Sequence, residues 1–446
     1  MQAPEMHPFH QRPNRTLIAL SFPVLFSLIA EPLTGLIDTA FVKVLGSGAM
    51  SALGAGTVAL TSLFWVFNFL MIGTQTEVAH ALGKGKQERA IKVMSLSLVL
   101  AVLFGLLLTA ILVPFATQAA TLMGAEDAVA TAAADYIRLR ALGAPAVLLM
   151  SVGFGAMRGK QDMRTPLYIA VAVNVLNILL DIVLIFGAGP IPALGISGSA
   201  LASTLAQYVG AIWAVFVVVR GLGFTWQFRF SDATDLLKVG RDLFFRTGLL
   251  MTFTLIATRV ATQIGPDSGA AHAAIRQVWL FSSLIMEAFA TTAQSLVGYF
   301  LGSMDVVTAR RVARYVVWWS LGTGFVAIVF MLLITPIVID LLVPAAAIAV
   351  FMPAWLVSSL SQPLNALAFI TDGIHWGTSD YKYLRNGMFA ATCSGVIALL
   401  LIDTTQPDSL IWVWFATSLW MTVRAIFGVG RIWPGIGDNP LRLGKA

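Results

Sequence analysis

The sequence predicts an all-α polytopic membrane protein, with about twelve transmembrane helices in two parallel-repeat six-helix bundles and a central cleft. Three observations predict it. The chain is 58% hydrophobic and only 11% charged, with a mean hydropathy of +0.84, whereas soluble domains carry roughly 25% charged residues. Its apolar stretches have the length that crosses a bilayer, about 20 residues. Glycine and aspartate landmarks of the first half return in the second half at one nearly constant spacing.

By length and hydropathy the spans run near 16–42, 51–79, 91–115, 131–156, 165–187, 196–220, 243–264, 270–300, 313–337, 347–371, 384–403 and 409–432. The first stretch is too long, and too polar at Glu31 and Asp38, for a cleaved signal peptide, so it is expected to stay as span 1. With these spans, every Lys and Arg except Lys43, Arg138, Arg140, Arg259 and Arg276 falls nearest one side of the membrane. That side is the cytoplasm by the positive-inside rule, and an even number of spans puts both termini there.

The repeat sets the domain organisation. Gly46 and Gly83 recur as Gly265 and Gly302, a shift of 219, and Gly155-x3-Gly159-x2-Asp162 recurs as Gly373-x3-Gly377-x2-Asp380, a shift of 218. Two halves of six spans each have the same orientation in the membrane. The expected division is an N-terminal lobe over 1–220, a basic cytoplasmic linker over 221–242 and a C-terminal lobe over 243–446. Such a pair of bundles suits alternating access.

Span 1 carries Asp38, an acid inside an apolar segment. A carboxylate in hydrocarbon costs several kcal/mol and usually marks an ion or proton path. Glu31 lies two turns earlier on the same face, and Pro23 and Pro32 are expected to interrupt the helix and let it bend. The competing reading of Asp38 is a helix-end acid reached by water. In span 5, Asn174, Asn177 and Asp181 share one face. They form either a polar wall of a cavity or a structural interhelical hydrogen-bond set. Asp38 and Asp181 each sit near the outer end of an outward-running span. Tyr136 of span 4 and Ser199, Ser203, Thr204 and Gln207 of span 6 enter from the same side. One polar pocket in the first half could therefore hold them all, with two carboxylates able to take up and release a proton. The repeat provides a control: Asp38 shifts onto Ala257 and Asp181 onto Leu399, so the fold unit alone does not demand these acids.

The second half has its own intramembrane charges. Glu287 falls mid-way along span 8, either as a cation site or paired internally with Arg259 or Arg276. Asp372 and Asp380, beside the repeated glycines, read as loop or gate structure. Phe154, Met286 and neighbouring aromatics are candidates for a cavity that takes flat, apolar or cationic compounds. Enzyme signatures are absent: there is no Walker loop, HExxH or Gly-x-Ser-x-Gly, and the five histidines show no metal-ligand spacing. Basic residues are spread over short loops with no stripe for nucleic acid. A single cysteine excludes an internal disulfide. No oligomer signal is present, and a monomer is the default.

Together EPLTGLIDTAFVKVLGS, GFGAMRGKQDMRTPL, NVLNILLD, AAHAAIRQVW and TDGIHWGTSD, spread over nearly the whole chain, resemble the MATE (multidrug and toxic compound extrusion) transporters, and within them the DinF-like branch. The resemblance implies twelve helices in two lobes and export of small amphipathic or cationic organic compounds from the bacterial inner membrane, driven by a cation gradient. It implies no cofactor beyond the coupling ion, which is H⁺ in the DinF-like branch, with Na⁺ as the alternative. By motif, Asp38, Asn177, Asp181 and Tyr136 would form the proton site, and Pro23 would be the point at which helix 1 bends. Glu31 stands where a neutral amide is often found, and Phe154 where some relatives have a polar amide. A flippase for lipid-linked precursors, of the same broad superfamily, is the nearest alternative; it would want more basic residues in the cavity than Arg259 and Arg276.

Overall fold

The computed structural model describes residues 7–228 and 230–442, and it describes no side-chain environment for Glu31, Ser62, Pro407 or residues 230–233 and 235. Apart from two single turns of 3₁₀ helix and one isolated bridge between Ala188 and Ile191, its regular structure is α-helical. In chain order the helices are α1 (Pro8–Gln11), α2 (Pro13–Lys43), α3 (Ser47–Val66), α4 (Asn68–Gly83), α5 (Gln87–Leu112), α6 (Ala116–Leu122), α7 (Asp127–Ala141), α8 (Ala144–Gly159) and α9 (Arg164–Phe186). They continue with α10 (Ile196–Leu222), α11 (Phe230–Ile264), α12 (Pro266–Gly302), α13 (Val306–Leu333), α14 (Thr335–Leu342), α15 (Ile348–Leu360), α16 (Gln362–Gly377), α17 (Tyr381–Leu400) and α18 (Leu410–Ile432).

Among the described residues, 9 helices are long and apolar enough to cross a membrane, and 11 if each of two bent pairs counts as one span. Those pairs are α7 with α8, bent by 48°, and the segment Ala345–Leu360 with α16, bent by 47°. They are the expected spans 4 and 10. The remaining expected span is α17. Lys382, Arg385 and Asn386 in its first two turns dilute its hydropathy, so it is a helix of 20 residues that composition alone does not mark as a span.

Two expectations about individual segments are corrected. Pro23 and Pro32 do not interrupt span 1, because α2 runs as one helix through both. Each proline removes a single N–H from the ladder, and the bonds on either side carry the helix on. Asp372 is not in a loop: it lies inside α16 and is buried.

The chain forms two compact units. One is Phe26–Gly240; the other takes in the chain up to Leu25 and from Arg241 onward. The division falls within α2, two residues past Pro23. The segment expected as a linker groups with the first unit as far as Gly240, where a Cβ would press on the Phe69 ring.

Each unit repeats the same close helix crossing, which gives the glycine landmarks their physical meaning. On α8, a Cβ at Gly155 would stand 2.5 Å from the Met71 carbonyl oxygen of α4, and one at Gly159 would stand 2.7 Å from that of Gln75. On α16, Gly373 meets the Ala290 carbonyl of α12 in the same way, and Gly377 meets Gln294 at 2.8 Å. Small residues let the backbones approach, as membrane helices require when no hydrophobic force drives them together. The bends repeat as well. Gly105 of α5 faces Pro145 at the start of α8, and Gly324 of α13 faces Pro363 at the start of α16.

Gly155→Leu should therefore lower thermal stability in detergent by about 1–3 kcal/mol through overpacking. Gly54→Ala, with nothing within 4 Å of the added methyl, should leave stability unchanged or raise it by about 0.4–1 kcal/mol. Melts of the two purified variants beside wild type check this pair.

Candidate functional site: a buried carboxylate pair at a helix break

The break between α7 and α8 builds the site. A helix end leaves its last carbonyls without partners, and here side chains from two neighbouring helices supply them. Thr204 Oγ1 of α10 donates to the Leu139 carbonyl at 3.0 Å, Thr109 Oγ1 of α5 donates to that of Ala141 at 2.6 Å, and Tyr208 Oη of α10 donates to that of Leu142 at 2.8 Å. Gly143, at the break, leaves room for them: a Cβ there would crowd Thr204 Oγ1 and Gln207 Oε1 at 3.3 Å. The polar side chains of α10 are thus fixed against the end of α7, and Gln207 Oε1 accepts from Arg140 at 2.7 Å.

Asp38 of α2 and Asp181 of α9 face this region. Asp181 is 0% exposed and Asp38 9%, and their carboxyl groups lie within hydrogen-bonding reach of each other. Asn177, one turn before Asp181, donates through Nδ2 to Asp181 Oδ2 at 3.2 Å and to Ser203 Oγ at 3.4 Å. The Oδ1 atoms of both aspartates are buried without a hydrogen-bond partner, as is Ser199 Oγ. The charge of Arg140 acts on both acids. Two carboxyl groups this close in an apolar surround can share one proton.

Of the residues singled out from sequence, the structure brings together Asp38, Asp181, Asn177 and Ser203. Thr204 and Gln207 stand one shell away, holding the end of α7. Asn174 is half-buried one turn before Asn177. Tyr136 is buried on α7, but its ring lies against Gly56 of α3 within the apolar cluster of α3 and α7. The side chain of Glu31 lies outside the described residues. Phe154, half-buried on α8, carries the Arg158 guanidinium 5.8 Å over its ring, and Arg158 also reaches Ser27 Oγ at 3.5 Å.

In the second unit the candidate charges are arranged differently from the sequence expectation. Arg259 and Arg276 are exposed, and the charge of Glu287 acts on Arg424. Met286 is fully buried. The centre of that unit is a triad that sequence reading missed. Asp372 Oδ2 accepts from Arg424 at 2.7 Å and from Arg246, all three being nearly inaccessible. Arg246 lies over Trp376 and Arg424 over Trp420. Arg246 and Arg424 read as loop-proximal positive-inside residues because each stands near a predicted span end. The available signal was their helical register, which turns them inward.

The MatE family model matches residues 23–183 and 243–402. The chain belongs to the MATE family of membrane transporters. It is 32% identical over 445 residues to Protein DETOXIFICATION 44, chloroplastic, of Arabidopsis thaliana, covering 93% of this chain and 81% of that one. It is 27% identical over 435 residues to DNA damage-inducible protein F of Escherichia coli, covering 94% and 92%. Among solved structures, a MATE in the bent conformation superposes with a TM-score of 0.86 at 21% identity, covering 94% and 95%. The outward-facing form of a multidrug resistance MATE family transporter gives 0.85, again at 21%, covering 94% and 96%. The two matched segments of the MATE model are the two halves of the repeat.

Asp181→Asn keeps the shape of the pair and should leave the melting temperature within a degree or two of wild type. Asp181→Leu removes one of the two acceptors of the Asn177 amide and should cost about 1–3 kcal/mol. Thermal melts of the two variants in one detergent separate these outcomes.

Proposed function

We propose that this MATE protein is a secondary active antiporter that exports amphipathic or cationic organic compounds in exchange for protons by alternating access. The observation that carries the reading is the buried Asp38–Asp181 pair with Asn177 and Ser203, two acids that can share and release a proton where the second half has Ala257 and Leu399. A relative supports the substrate class: a probable multidrug resistance protein NorM of Thermotoga maritima is 29% identical over 253 residues, covering 53% of each chain. Pro23, next to the division between the compact units, is the point at which α2 would bend during the cycle.

The Lys and Arg bias supports both termini on the cytoplasmic side, and we place the protein in a bacterial inner membrane. The chloroplast label on one relative makes a plastid membrane the competing location. Na⁺ coupling and lipid-precursor flipping remain the rival functions, and transport assays separate them.

Everted vesicles given a pH gradient and no Na⁺ should take up a fluorescent cationic dye with wild type and lose most of that uptake with Asp38→Asn. Equal uptake by both would move coupling away from this pair. Uptake driven by Na⁺ alone in wild type would replace the proton reading by a sodium one.

A further inference from the structure

Among the described residues Arg140 is the cation whose charge acts on both acids, and nothing in the antiport scheme yet uses it. It sits in the last turn of α7, half-buried, with one guanidinium nitrogen held by Gln207 Oε1 at 2.7 Å. Its Nε is buried without a hydrogen-bond partner, and so are Asp38 Oδ1 and Asp181 Oδ1. Gln207, which holds Arg140, stands one turn from Ser203, which accepts from Asn177, so an orphaned donor and two orphaned acceptors belong to one polar cluster. Leaving such groups buried and unpaired is costly, so the arrangement is poised to re-pair once the shared proton leaves.

Among the described residues the other titratable or charged groups around the pair are few, and the Glu31 side chain on α2 lies outside them. From α7 they are Tyr136, packed on Gly56, and Asp135 with Arg138, which pair with each other at the surface at 2.7 Å. From α10 there is Tyr208, committed to the Leu142 carbonyl. α3 carries no charged residue, and Lys43 on α2 is exposed. The repeat adds an independent observation. At the shift of 218 that relates Pro145 to Pro363, Arg140 falls on Ser358 and Asp181 on Leu399, while Asp38 falls on Ala257 at the shift of 219. The second half lacks all three charges together.

We propose that Arg140 is the internal counter-cation of the Asp38–Asp181 pair, taking up their oxygens when the proton leaves and thereby keeping Na⁺ out of the pocket. This rests on the proton-antiport reading above. With one shared proton, two carboxyls and one guanidinium sum to zero charge, which an apolar surround favours. When the proton departs to water, the N–H groups of Arg140 occupy lone pairs that a metal ion would need. A hard cation needs several oxygens at once, whereas a returning proton needs one. The guanidinium suits this role because it stays charged and presents several donors.

The test is proton-driven dye uptake in everted vesicles, in NaCl and in equal choline chloride, for wild type, R140Q and R140K. Wild type and R140K should be insensitive to Na⁺. R140Q should be inhibited several-fold by Na⁺, and its pH–uptake midpoint should move alkaline by on the order of one unit, as loss of a nearby positive charge requires. In purified R140Q, NaCl should also raise the melting temperature relative to choline chloride, which reports binding without transport. An R140Q protein with the wild-type pH profile and no response to Na⁺ overturns the role of Arg140 while leaving proton antiport standing. Na⁺-driven uptake by wild type overturns both. Should R140Q fail to fold, Arg140→His replaces it, charged near about pH 5 and neutral near about pH 8. It should resist Na⁺ at the first and be inhibited at the second, and equal behaviour at both overturns the proposal.

Discussion

A carboxylate placed among apolar helices must find a proton, a cation or several donors, because burying it alone costs several kcal/mol. Asp181 has no exposed surface and Asp38 very little, and the architecture of the first unit answers that constraint. α9 presents Asn177 one turn from Asp181, α10 presents Ser203 to Asn177, and α2 brings the second acid. None of these helices supplies enough polar atoms by itself. The pair is stable as a pair, and only while its charge is balanced.

The break in span 4 makes that balance possible. A straight helix would satisfy its own carbonyls and offer nothing to α10. The 48° bend exposes the end of α7, and Thr109, Thr204 and Tyr208 fill it. The same side chains hold α10 in the register that points Ser203 at Asn177 and Gln207 at Arg140. The second unit has the equivalent bend and the equivalent glycine crossing, but it spends its buried charge differently. Asp372 is saturated by two arginines, a closed arrangement in which the acid already has its cations.

Much of this was legible in the sequence, for identifiable reasons. Hydropathy finds long apolar helices because every backbone group in lipid must be bonded within its own segment. The repeat was legible because close backbone crossings tolerate only glycine, so Gly155, Gly159, Gly373 and Gly377 stand out. The polar stripe of Asn177 and Asp181 was legible because polar atoms on an apolar helix are expensive. What stayed hidden depends on tertiary neighbours. Arg246 and Arg424 sit near span ends, where most arginines face headgroups, and only the packing of α16 and α18 reveals them as buried. α17 fell below the hydropathy of a span because its first turns are cationic. The continuity of α2 through two prolines was hidden too, since a proline marks where a helix can bend and not whether it does.

Antiport coupled through the Asp38–Asp181 pair requires that a bound substrate lower the pair's affinity for its proton. The most direct measurement of this linkage is proton release from purified protein in weakly buffered detergent as a tetraphenyl cation is added, followed with a pH indicator. The account predicts about one proton released per cation bound, by reciprocal linkage, and none from Asp38→Asn. Cation binding by wild type with no proton release would contradict it.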